Sequence, residues 1–175
     1  MKFLQQSQRL LDNIINLLAV FAAAIIIFTT LAVSADVILR NFLNKPLVWV
    51  FETTEYLLLY MTFLGAAWVL KREGHVHVDI LVNRFSRKAQ AGIGVITSLV
   101  GIIICGIFVI YGSEVTWDYF ARGVVSTKSL LGFPYAPVLM IIPIGSFFLL
   151  LQFLRRTYGY ICTLKALLNR SDLRR

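Results

Sequence analysis

Apolar residues in this chain come in long unbroken runs, not in the two-residue alternation of a strand or the single stripe of a water-exposed helix. Residues 14–35, 91–112 and 130–154 contain no Asp, Glu, Lys, Arg or His. Each run reaches the roughly 20 residues that a helix needs to cross hydrocarbon. Residues 56–70 form a shorter run, and extending it back to Leu47 adds Val48, Trp49, Val50 and Phe51 while taking in Glu52 and Glu55. The pattern predicts four spans, at about 14–39, 47–70, 91–112 and 132–154. The runs are apolar on all faces and lack ten-residue alternation, so helices and not a barrel are expected. The expected fold is all-α and integral to the membrane, one four-helix domain over residues 1–175.

The connections are amphipathic. Val78, Leu81, Val82 and Phe85 fall at helical spacing among Asp79, Asn83, Arg84, Arg87 and Lys88, which predicts a short interfacial helix over 78–88. Ile161, Leu164, Leu167 and Leu168 repeat the theme beside Lys165 and Arg170, so the tail 155–175 is expected on or near the membrane. Residues 113–129 are expected as the outer connection, and Pro143 as a proline well inside the last span.

Composition fits a lipid-buried chain. Of the 175 residues, 58% are hydrophobic and 15% charged, against about 45–50% and 25% in soluble domains. The formal charge of +8 needs no nucleic acid to explain it, because the basic residues are unevenly placed. With the N-terminus inside, thirteen Lys and Arg fall on the cytoplasmic side and four (Arg40, Lys45, Arg122, Lys128) outside. The positive-inside rule then puts both termini in the cytoplasm, where the cations meet anionic lipid. Arg72, His75, Arg84, Arg87 and Lys88 are the expected inner anchors. Trp49, Tyr111, Trp117 and Tyr135 outside, with Trp68, Tyr158 and Tyr160 inside, suit the aromatic belts. Val33-Ser34-Ala35 resembles a signal-peptidase site, but the preceding apolar run exceeds the usual 7–15 residues, so cleavage is not expected.

Few groups could carry chemistry. Asp36 and Arg40, four apart, share a helix face and are expected to pair. Glu52 and Glu55, three apart, also share a face. They suit a proton or cation site or a contact with another subunit, and their place near the membrane edge favours the contact. A self-contained carrier usually shows polar or broken helices at mid-membrane in two matching halves, and that pattern is missing here. His75 and His77 lack further ligands at metal spacing, no span holds a His for haem, and no phosphate loop or nucleophile set occurs. Neither an enzyme nor a cofactor is expected. Cys105 and Cys162 form no framework. Gly94, Ser98, Gly101, Cys105 and Gly112 make a small-residue stripe on the third span, which suits a seam inside the bundle or one with a partner.

The stretch Asp36-Val37-Ile38-Leu39-Arg40-Asn41-Phe42, then Pro46, Trp49 and Glu52, then Phe63-Leu64-Gly65-Ala66-Ala67, then Arg72-Glu73-Gly74-His75-Val76-His77-Val78-Asp79, with Pro143-Ile144-Gly145 near the end, closely resembles the DctQ-like small membrane subunit of tripartite ATP-independent periplasmic transporters. Asn41 departs from the aromatic residue that often follows the Arg. The resemblance implies a bacterial inner-membrane protein in a sodium-driven uptake system for organic acids. It implies two protein partners, a large polytopic transport subunit and a periplasmic substrate-binding protein. Arg40, Trp49, Glu52 and Glu55 are then the expected subunit-interface residues. The alternative is a standalone proton-coupled antiporter using Glu52 or Glu55.

Overall fold

A computed structural model describes residues 2–45, 47–73, 87–125 and 134–172. Four long helices dominate it: α1 (Lys2–Leu43), α2 (Val48–Glu73), α3 (Arg87–Ala121) and α5 (Ile141–Asp172), with the short α4 (Tyr135–Leu139) before the last. All four long helices are apolar and long enough to cross a membrane. At 1.5 Å per residue the 42 residues of α1 make about 63 Å, twice the roughly 30 Å of hydrocarbon.

Each helix ends for a local reason. α1 stops where Asn44 takes a left-handed φ of 51°, a conformation that Asn tolerates, and Lys45 N–H reaches back to Leu39 C=O at 3.4 Å. α3 stops at Gly123, φ 60°. There Gly123 N–H bonds Phe120 C=O and Val124 N–H bonds Tyr119 C=O, the paired closure of a Schellman motif. Two expectations change at this end of the bundle. Residues 113–121, expected in a connection, continue α3, because nothing before Gly123 breaks the helix. Pro143, expected deep in a span, lies in the first turn of α5 after a break at Met140, where its missing N–H leaves no intrahelical bond unmade. At the other end α5 runs unbroken to Asp172, so residues 155–172 continue the last helix.

The long helices form a row. α1 packs on α2, α2 on α5 and α5 on α3, while α1 and α3 at the two ends have no substantial contact. Small residues set the spacing. A Cβ on Gly145 would lie 2.6 Å from Phe63 Cβ and 2.7 Å from its carbonyl oxygen, so α5 touches the backbone of α2. Cβ atoms on Gly94 and Gly101 would meet the rings of Tyr160 and Phe153 at 2.7 and 2.6 Å. Ser98 and Cys105, on the same stripe, are buried. The third-span stripe is therefore the internal α3–α5 seam. Elsewhere apolar side chains face outward, among them Leu31, Ile96 and Ile110, each about two-thirds exposed, as suits helices solvated by lipid.

Candidate functional site

At the end expected to face outward, α1 and α2 meet in a tight corner. Asp36 Oδ1 accepts the Leu47 backbone N–H at 2.7 Å, satisfying a donor at the start of α2, where the helix dipole favours an anion. No Asp36–Arg40 ion pair forms among the described residues, and Arg40 is exposed. The expected pair gives way because the turn at 44–47 brings an orphan N–H to the carboxylate, and sequence spacing along α1 cannot reveal that donor. Asp36→Ala should therefore cost about 1 kcal/mol of thermal stability, as cap losses do, while Arg40→Ala should leave the melting midpoint unchanged. Equal losses from both would restore the pair.

Beyond this corner Trp49, Phe51 and Glu55 are exposed, Phe51 at 81%, and Glu52 is half-buried. The outer connection is tied down nearby. Tyr60 donates its hydroxyl to Pro137 C=O at 2.7 Å, and the Tyr135 ring packs edge-on against Tyr56 and Tyr119.

The opposite end, expected to face the cytoplasm, holds a cluster that sequence reasoning missed. Asp12 Oδ1 accepts from Arg155 Nη1 at 2.7 Å and pairs with Lys71 Nζ at 3.3 Å. Lys71 also donates to the Asp12 carbonyl and to Asn16 Oδ1. One carboxylate thus joins α1, α2 and α5. Its signal in the sequence was a lone acid at the depth where the second and fourth runs become basic. Arg72 is exposed and lies over the Trp68 ring, 4.9 Å from its centroid. His75, Arg84 and most of the expected 78–88 helix fall outside the described residues, whereas Arg87 and Lys88 open α3.

Two grooves flank the row. One, about 620 Å³, lies between the C-terminal part of α3 and the α4–α5 segment, with Trp117, Met140, Pro143 and Phe147 in its wall. The other, about 880 Å³, runs between α1 and α2 and is backed by Leu149 and Phe153. At 3.6 residues per turn, the α5 face formed by Pro143, Ile144, Phe147 and Phe148 centres about half a turn away from that of Leu149 and Phe153, so the grooves open on opposite faces. No Asp or Glu lines either groove among the described residues. The hydroxyls of Thr62, Ser113 and Thr116 donate to carbonyls of their own helices. Apart from Asn16 and Arg72 at one end of the second groove, such walls suit hydrocarbon. No metal-binding cluster occurs among the described residues.

Fold and grooves together define a polytopic helical membrane protein with apolar flanks. Residues 29–163 match the family model described as tripartite ATP-independent periplasmic transporters, DctQ component, and the chain belongs to that family, whose members are inner-membrane transporter components. The C4-dicarboxylate TRAP transporter small permease protein DctQ of Vibrio cholerae is 32% identical over 90 residues, 51% of this chain and 37% of that one. A putative TRAP transporter small permease protein of Haemophilus influenzae is 29% identical over 127 residues, 72% of this chain and 76% of that one. The sialic acid TRAP transporter permease protein SiaT of Haemophilus influenzae is 24% identical over 112 residues, 62% of this chain but only 18% of that one.

Proposed function

We propose that this chain is the small, non-enzymatic scaffold subunit of a sodium-driven tripartite uptake system for an organic acid, bracing a large permease that holds the solute and ion sites. The observation that carries this reading is the open row of four spans, whose two grooves are lined almost wholly by apolar side chains and which leaves broad apolar faces for a partner. Family membership supports the partners, a large permease and a periplasmic binding protein. The alignment with SiaT supports the first of these, because the matching stretch there belongs to a much longer chain. Organic acids are supported by the relatives' names, since C4-dicarboxylates and sialic acid both bear carboxylates.

The bracing contact is the outer corner of Arg40, Trp49, Glu52 and Glu55, with Phe51 projecting beside them. Glu52→Lys should abolish co-purification of the large permease, or reduce solute uptake about tenfold in vesicles holding all three components. Full retention of both would remove this corner from the interface. Vesicles holding this chain alone should transport nothing, and proton-coupled flux there would establish the standalone antiporter instead.

This reading puts both termini in the cytoplasm, with Arg72, Arg87, Lys88 and the loop residues His75 and Arg84 anchoring the inner face. Cys162 is exposed and Cys105 buried, which supplies a native probe. A membrane-impermeant maleimide should label Cys162 in inside-out vesicles and leave right-side-out vesicles unlabelled; the reverse pattern would invert the topology.

A further inference from the structure

We propose that the groove between α1 and α2 is a binding site for an acidic phospholipid, its acyl chain on the small-residue floor and its phosphate on Arg72. The floor is low because Ala19, Ala22 and Ala23 of α1 face Gly65 and Ala66 of α2, and a Cβ at Gly65 would sit 3.9 Å from Ala22 Cβ. Along α2 the lining runs from Met61 to Arg72 and along α1 from Asn16 to Ile26. At 1.5 Å per residue the stretches are about 15–17 Å long, half of the roughly 30 Å hydrocarbon thickness. That is the depth of one leaflet. A partner's transmembrane helix would need a groove twice as long, so the dimensions select a lipid chain.

The charged end of the groove fits the other half of such a molecule. Lys71 is engaged by Asp12 and Asn16, whereas Arg72 has no ion pair among the described residues. Its guanidinium lies over the face of Trp68, and that stacking leaves the N–H groups at its edge free to bind a phosphate through two parallel hydrogen bonds. Arg9, Lys71, Arg72, Arg155 and Arg156 gather at this end of the helices. Among the described ion pairs, Asp12 is the only carboxylate that meets any of them. The excess of positive charge favours an anionic headgroup over a zwitterionic one. The inference needs only the membrane-spanning fold and is independent of the scaffold role.

Trp68 borders the site and reports on it. In full-length chain carrying Trp49→Phe and Trp117→Phe, Trp68 is the sole tryptophan. Reconstituted in phosphatidylcholine vesicles, its fluorescence should be half-quenched by brominated phosphatidylglycerol at about one-fifth the mole fraction required of brominated phosphatidylcholine, the effect of one basic contact. Arg72→Gln should erase that preference and Arg72→Lys should keep most of it. Ala23→Leu, which narrows the floor and leaves Arg72 in place, should weaken quenching by both lipids. Equal quenching by the two lipids before any change at Arg72, or a preference that survives Arg72→Gln, would overturn the site.

Discussion

A single methyl group at position 145 should force α2 and α5 apart. In Gly145→Ala the new Cβ would lie within 3 Å of both the Cβ and the carbonyl oxygen of Phe63. Backbone cannot swing aside, so the helices must separate or the side chain must strain, and overpacking of this kind costs about 1–3 kcal/mol. Separation also loses the close contact that holds helices together in lipid, where no hydrophobic drive brings them in. Gly101→Ala meets only the far edge of the Phe153 ring, which can rotate away, so its loss should be smaller. Gly92→Ala meets nothing within 4 Å and should gain about 0.5–1 kcal/mol from helix propensity. Thermal unfolding in detergent should rank the three in that order. If Gly145→Ala proves as harmless as Gly92→Ala, the α2–α5 seam is wrong.

Removing the Asp12 carboxylate should be the second large effect. Asp12→Asn leaves Lys71 and Arg155 as two cations around a neutral amide, and they repel across the junction of α1, α2 and α5. Breaking a fully buried pair costs about 3–5 kcal/mol. The Asp12 side chain is 28% exposed, so water screens part of this and a loss of about 1–3 kcal/mol is expected. Adding Lys71→Met removes the cation left without a partner and should recover part of the loss. The unfolding midpoints of the single and double variants check this. If Asp12→Asn melts with the unaltered chain, the cluster is a surface contact with no structural weight.

The stripe Gly94, Ser98, Gly101, Cys105 and Gly112 was legible as a seam from its spacing, but its partner was not, because small residues accommodate any helix. The rings of Phe153 and Tyr160 on α5 decided that. Asp36 was legible as a carboxylate requiring a partner, and the nearest basic residue in the sequence was the natural choice. A backbone N–H eleven residues away took the place instead, brought there by a turn that side-chain patterns do not encode. Arg72 was legible as an inner anchor, but the groove it closes was not, because the floor comes from two helices whose facing residues are known only once they pack.

The sequence by itself determined that four helices cross the membrane and about where. Each span is fixed by the transfer of its own side chains into hydrocarbon, a property of consecutive residues alone, and the family resemblance rests on short motifs that are equally local. The order α1–α2–α5–α3, the contact between Gly145 and Phe63, the capping of α2 by Asp36 and the three-helix tie at Asp12 were decided only by the tertiary structure. In lipid one apolar helix face is nearly as well solvated as another. The choice of neighbour therefore falls to close backbone approach and to a few polar groups that must find partners across the bundle, and neither is visible along a single segment.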